Sequence, residues 1–243
     1  MIVLRSLLFL LSLVILTPPF SMIALLTFPL PPLLRYRVIS LWSRIVLWLL
    51  RVLCGIRYQV RGREHIPTTP SIVLCKHQSA WETLALQEIF PPQVWVMKRS
   101  MLLVPFLGWG LAMLRPIAIN RGGGRAALKQ VTEQGRDRLR KGLWIVIFPE
   151  GTRVAPGETG RYGIGGAWLA THTATPVVPV AHNAGAFWGR NSFLKYPGTI
   201  TLSIGAPINA EGMQPAALND KVQAWIETEM EQLQATSDHG LSA

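Results

Sequence analysis

Acidic side chains are scarce in this chain, with 13 Asp and Glu among 243 residues, so an acid placed near a histidine or an arginine carries information. One such acid closes the run Lys76-His77-Gln78-Ser79-Ala80-Trp81-Glu82. The run falls where a short apolar strand pattern, residues 71–75, gives way to a helical pattern over 81–89. An imidazole has an ordinary pKa of about 6.5 and suits proton abstraction at neutral pH. A carboxylate in the first helical turn can fold back onto the other ring nitrogen of His77, fix its tautomer and stabilise the imidazolium. Ser79-x-x-Glu82 is also the spacing of a capping box, in which both side chains satisfy backbone N–H groups at a helix start. Capping has no use for His77, and the residues alone leave both readings open.

A second cluster, Phe148-Pro149-Glu150-Gly151-Thr152-Arg153, follows the most apolar strand pattern in the chain, residues 143–148. Arg153 offers a rigid fork of donors suited to phosphate oxygens. A β-turn closed by a salt bridge accounts for the same residues. Both clusters stand at the carboxyl ends of strand patterns, where open α/β sheets hold their ligands. Other chemistries lack their residues: there is no G-x-S-x-G elbow and no G-x-x-x-x-G-K-[ST] loop. The five His and two Cys have no metal-ligand spacing, so no metal and no cofactor is expected. Gly122-Gly123-Gly124 lacks dinucleotide-binding spacing and reads as a turn into a helix.

The elements that must position these clusters alternate along the chain. Strand patterns at 71–75, 94–97, 116–119, 143–148, 177–180 and 199–204 are interleaved with helical patterns at 81–89, 125–140 and 165–172. A terminal amphipathic helix follows at about 215–234, its stripe formed by Leu218, Val222, Trp225, Met230 and Leu233. Such alternation predicts an α/β architecture.

The front of the chain has a different character. Residues 6–34 carry no charge, a stretch longer than the roughly 20 apolar residues of a spanning helix. Pro18-Pro19, Pro29, Pro31 and Pro32 interrupt it, predicting one kinked span or two short arms in one leaflet. No small-residue cleavage site follows, which argues against a secretory signal. Residues 38–56 then read as a basic interfacial helix, with Arg37, Arg44 and Arg51 every seven residues and Trp42 and Trp48 among them. The division expected is therefore a membrane anchor with its interfacial helix, 1–57, and an α/β domain with a C-terminal amphipathic helix, 58–243.

The net charge is +11, divided as +7 over residues 1–64, +9 over 65–210 and −5 over 211–243. Anionic membrane and nucleic acid both attract such a charge. No recognised nucleic-acid module accompanies it, so the expected partner is an anionic membrane and not nucleic acid. At about 1 kcal/mol for each basic residue, the basic front is expected to hold the rest to an anionic leaflet even without residues 1–34.

Together these motifs carry a family resemblance. His77-x-x-x-x-Glu82 resembles the H-x4-D/E block of the glycerolipid acyltransferases, and residues 148–153 resemble their F-P-E-G-T-R block. Residues 98–121 are similar to the intermediate block, with Pro105, Gly108 and Pro116-Ile117-Ala118-Ile119-Asn120-Arg121. Val178-Pro179-Val180, continuing Ala181-His182-Asn183, is similar to the fourth. All four stand in the family's order across residues 75–183. Glu82 replaces the commoner Asp, Ser100 stands where many members have Glu, and Gly163 where a Lys often follows the Tyr.

The resemblance implies a mixed β-sheet flanked by helices, preceded by an N-terminal membrane-embedded helical segment. It implies an O-acyltransferase that moves a fatty acyl group from acyl-CoA or acyl carrier protein, as co-substrate, to the sn-2 hydroxyl of lysophosphatidic acid. Phosphatidic acid for phospholipid biosynthesis is the product. An acceptor such as a lyso-ornithine lipid remains an alternative, and the charge alone would suit a non-catalytic membrane-surface protein. His77 would be the base and Glu82 its orienting group. Backbone N–H groups at the start of the 81–89 helix would be oxyanion donors. Lys98, Arg121 and Arg153 would contact phosphate, with Glu150, Gly151 and Thr152 completing the substrate site. A cytoplasmic donor and the basic residues after the apolar run place residues 35–243 on the cytoplasmic face of a bacterial inner membrane.

Overall fold

The computed structural model describes residues 1–120 and 124–240, with side chains as far as Gln234. Arg121, a candidate phosphate contact, and the Gly122-Gly123 pair lie outside the described residues. Three helices open the chain: α1 (Ile2–Leu26), α2 (Pro32–Ile39) and α3 (Leu41–Cys54). The strands are β1 (Ile56–Arg61), β2 (Ile72–Cys75), β3 (Gln93–Lys98), β4 (Ile117–Ile119), β5 (Trp144–Ile147), β6 (Val177–His182) and β7 (Gly198–Ile204). Between and after them lie α4 (Trp81–Ile89), α5 (Leu107–Met113), α6 (Gly124–Arg140), α7 (Gly165–Thr173), α8 (Ala184–Phe187) and α9 (Pro215–Gly240).

The strands form one sheet in the order β1-β7-β6-β2-β5-β3-β4. Every neighbouring pair among the described residues is parallel except β6 and β7, so the sheet is mixed and flanked by helices. Central strand β2 is buried on both faces, and its residues alternate between two cores. Val73 and Cys75 pack with Phe9, Val46, Leu50 and Leu84 under α1, α3 and α4. Ile72 and Leu74 pack with Val131, Leu169, Leu218 and Ile226 under α6, α7 and α9. A Cβ at Gly166 would come within 2.5 Å of Leu74, so glycine is what lets α7 lie this close to β2.

Strand β1 is absent from the sequence reading. Its residues alternate buried and exposed at the sheet edge, with Arg57, Gln59 and Arg61 facing outward. That basic alternation merges with the arginine-rich helix before it. The break between them is Gly55, whose φ of +69° ends α3 in a conformation that side chains disfavour.

Nor is the helix predicted over 38–56 one piece, since α2 and α3 meet at Ser40. Arg37, Arg44 and Arg51 are exposed, but Arg35 is not a surface cation. Its guanidinium is buried and donates to the carbonyls of Phe28 (3.2 Å), Leu30 (3.0 Å) and Met113 (3.2 Å). It clamps the α1–α2 turn to the end of α5.

Helix α1 is long and apolar enough to cross a membrane, and it continues through Pro18 and Pro19 as one helix. Internal proline costs about 3 kcal/mol or more. Packing on both sides of the prolines opposes that cost: Ser6 and Phe9 are buried before them, Ser21 and Ala24 after. The Lys195 N–H donates to Ser6 Oγ (3.0 Å), and Ser21 Oγ donates to the Phe106 carbonyl (2.8 Å). The remaining faces of α1 expose leucine, isoleucine and valine to the surroundings.

Candidate active site

Strands β6, β2 and β5 are parallel neighbours, so their carboxyl ends come together. His182 closes β6, Lys76 and His77 follow β2, and residues 148–153 follow β5. Lys98 ends β3, the next strand along. Sheet order thus gathers blocks more than 100 residues apart.

His77 Nδ1 lies 2.7 Å from Glu82 Oε1. Glu82 is wholly buried in the first turn of α4. Its Oε1 also accepts the N–H groups of Gln78 (3.1 Å) and Ser79 (2.9 Å), and Oε2 accepts that of Ser79 (3.1 Å). Ser79 Oγ accepts the Trp81 N–H at 3.1 Å. One carboxylate therefore caps the helix start and orients the imidazole. With Nδ1–H donated to Glu82, the proton-accepting nitrogen of His77 is Nε2. The ring stacks on Phe148, centroids 4.0 Å apart and planes 13° off parallel.

These contacts occupy part of the backbone at the helix start. The N–H groups of Gln78, Ser79 and Trp81 are already taken by Glu82 and Ser79, so they are not available to an oxyanion.

Burial by itself pushes the Glu82 pKa up, but His182, His77 and the Ser79 N–H outweigh it and hold the carboxyl below the ordinary glutamate value. His182 was not singled out as a site residue from the sequence. It is fully buried, 3.7 Å from Glu82 Oε2 through Nε2. That nitrogen donates to the Lys76 carbonyl (2.9 Å), while Nδ1 accepts the Ala184 N–H (3.2 Å). Burial, partly opposed by Glu82, lowers the His182 pKa. Its signals in the sequence are its position right after the apolar Val177–Val180 run and its place in the fourth resembling block.

Glu150 is buried and does not line the cleft beside His77. Its Oε2 accepts the His77 N–H (2.8 Å), and its Oε1 pairs with the buried ammonium of Lys76 (2.8 Å). Gly151 has φ +66° with open space around its Cβ position, so the turn requires glycine for its conformation, not for room. That turn brings Gly151, Thr152 and Arg153 to the cleft wall.

The cleft has a volume of about 580 Å³. His77, Thr152, Arg153, Lys98 and Arg190 supply its polar and cationic lining. Leu13 of α1, Trp42 and Val46 of α3, Leu84, Trp95 and Leu111 supply an apolar one. Arg190, outside every motif, donates to the Arg153 carbonyl at 3.0 Å. Among the described residues no group of three His, Cys, Asp or Glu is placed to hold a metal ion. Ser79 and Cys75 are buried, whereas His77 reaches the cleft wall, where it can act as a base for a hydroxyl brought by a ligand.

A base steadied by a carboxylate, opening on a cleft with cations and an apolar wall, suits acyl transfer to a lipid hydroxyl. Residues 57–183 match the family model described as Acyltransferase, and the chain belongs to that family of enzymes. It is 49% identical over 203 residues to the 1-acyl-sn-glycerol-3-phosphate acyltransferase of Pseudomonas aeruginosa, covering 82% of this chain and 79% of that one. A Cocos nucifera protein of the same name is 27% identical over 215 residues, covering 88% and 69%. The crystal structure of the 1-acyl-sn-glycerophosphate (LPA) acyltransferase PlsC from Thermotoga maritima shares the fold, with a TM-score of 0.79 over 96% of each chain at 20% identity.

Proposed function

We propose that this acyltransferase moves a fatty acyl group from acyl-CoA or acyl carrier protein to the sn-2 hydroxyl of lysophosphatidic acid, giving phosphatidic acid. The observation that carries the reading is the His77–Glu82 pair, 2.7 Å apart, on a cleft that is cationic in one part and apolar in another. A lysophosphatidate has the same two parts. The names of the relatives support the same acceptor.

In this mechanism His77 Nε2 takes the proton of the acceptor hydroxyl as its oxygen attacks the thioester carbonyl carbon. The tetrahedral intermediate collapses with cleavage of the carbon–sulfur bond, and the imidazolium returns its proton to the departing thiolate. Glu82 holds the imidazole by Nδ1 and offsets its positive charge while the proton is aboard. Lys98 and Arg153 bind phosphate, joined by Arg121 and Arg190. Arg is suited to this by its planar fork of donors.

The enzyme works on an anionic leaflet, which we place at the cytoplasmic face of a bacterial inner membrane. The exposed apolar residues of α1 support this, together with Leu103 (81% exposed), Phe106 and Trp109 beside them and the cations Arg37, Arg44 and Arg51.

A thioester-consumption assay with a panel of lysolipids in anionic vesicles tests the proposal. Lysophosphatidic acid should be the preferred acceptor, with phosphatidic acid the product. Preference for an acceptor without phosphate, such as a lyso-ornithine lipid, would overturn it.

A further inference from the structure

Beyond the matched segment 57–183, one residue of the C-terminal helix reaches the machinery around His77. The contact begins at Lys76, whose side chain is only 1% exposed although it carries an ammonium. Such a group is tolerated inside a protein when each donor finds an acceptor and the charge a partner. Lys76 Nζ meets Glu150 Oε1 at 2.8 Å, the Glu158 carbonyl at 3.2 Å and Glu227 Oε1 of α9 at 2.8 Å. Two hydrogen bonds, to Glu158 and Glu227, and an ion pair with Glu150 thus surround the ammonium.

What lies at the other end of this network is the backbone of His77. Glu150 uses its second oxygen to accept the His77 N–H (2.8 Å), and the Val154 N–H donates to the His77 carbonyl (2.8 Å). Both backbone polar groups of the histidine are therefore gripped by the loop that carries Thr152 and Arg153. Glu227 gathers the far half of that loop as well, accepting from Tyr162 OH (2.7 Å) and Thr159 Oγ1 (2.9 Å). Burial opposes ionisation of Glu227, but the Lys76, Tyr162 and Thr159 contacts hold its pKa below the ordinary value. Helix α9 is a firm mount for it, since Leu218, Val222, Ile226 and Met230 are buried against the sheet.

We propose that Glu227 is a positioning residue for acyl transfer, fixing the backbone of His77 from the C-terminal helix through Lys76 and Glu150. The inference rests on the reading of His77 as the base. Losing the accepting oxygen of Glu227 leaves Lys76 with an unmatched donor between Glu150 and the Glu158 carbonyl. The lysine then pulls toward the remaining acceptors, and Glu150 moves its grip on His77. Displacement of a base costs turnover more than substrate affinity.

The test compares Glu227→Ala, Glu227→Gln and Glu227→Asp in the full chain, reading kcat and both KM values per folded molecule. Gln keeps the reach and an accepting oxygen, whereas Asp keeps the charge but is one methylene too short for Lys76. Alanine and Asp should lower kcat roughly tenfold or more, with KM for donor and acceptor nearly unchanged, and Gln should restore most of the loss. Should Glu227→Ala fail to fold, the contrast between Gln and Asp still decides. Wild-type kcat in Glu227→Asp, or a loss of thermal stability in all three without loss of kcat, would overturn the proposal. Activity of the wild type, and its disappearance in His77→Ala, establishes the underlying reading independently, so a failure at Glu227 counts against this inference alone.

Discussion

Glu82 and His77 are five residues apart and joined at 2.7 Å, and the same carboxylate closes the backbone turn that separates them. The base and its support are consequently one local unit. Helix capping and orientation of the imidazole are not competing explanations, because the geometry that satisfies Gln78 and Ser79 also places Glu82 Oε1 under Nδ1.

His77→Ala is expected to lower turnover by about 10²–10⁴ while the protein remains folded, because the ring sits at the cleft wall and not in the core. Glu82→Gln should lose activity and stability together, since the carboxylate serves both tasks. Turnover per folded molecule, set beside thermal unfolding, checks the pair. Near-normal turnover in His77→Ala would remove it as the base.

Arg153→Gln should raise KM roughly tenfold for a phosphate-bearing acceptor and far less for a head-group-free monoacylglycerol, as a charge-assisted contact is lost only for the former. The same comparison for Lys98→Gln and Arg190→Gln, run against each substrate in turn, assigns those cations to acceptor or donor. Equal changes for both acceptors would mark Arg153 as a support of the turn.

Acid should weaken the fold through His182. Its folded pKa is lowered by burial, so the unfolded chain binds a proton that the folded chain refuses. Stability is therefore complete above the unfolded value of 6.5 and falls as pH drops below it, by about 1.4 kcal/mol per unit until the folded pKa is reached. His182→Gln, which keeps a donor for the Lys76 carbonyl, should flatten that segment of the stability profile. Chemical denaturation at a series of pH values measures it, and an unchanged slope in the variant would rule His182 out as the source.

Deleting residues 1–34 should destabilise the fold even where the basic front keeps the protein on anionic vesicles. Phe9 is wholly buried in the core and Leu13 lines the cleft, so the front of the chain is structural as well as apolar. Phe9→Ala alone is expected to cost about 3–5 kcal/mol. That cost in stability adds to the docking expected from charge, in which the basic front binds an anionic leaflet without residues 1–34. A stable 35–243 fragment, active on micellar acceptor, would contradict this.

Legibility in the sequence followed distance along the chain. The His77–Glu82 unit is local, and strands β2 to β7 stand close to their apolar patterns, so both could be read. Lys76 with Glu227 and His182 with Lys76 are 151 and 106 residues apart, and only the strand order places them in contact. Glu150 reads as a ligand residue when it is next to Arg153 in sequence, yet its neighbours in space are the His77 N–H and Lys76. Pro18-Pro19 reads equally as a kink in one span or a break between two arms, because the packing that carries α1 through them comes from elsewhere in the chain.

Both halves of α1 are fastened along the same body, Ser6 to Lys195 and Ser21 to Phe106, so the helix has no slack with which to hold that body away from a bilayer. Immersing its free face would bring the cleft, with Leu13 in its wall, to the depth of the lipids themselves. An enzyme seated in that way meets its acceptor by lateral diffusion in two dimensions. The concentration that governs its rate is then molecules per unit of membrane area, and diluting the same lysolipid into more membrane would slow it even at constant bulk volume.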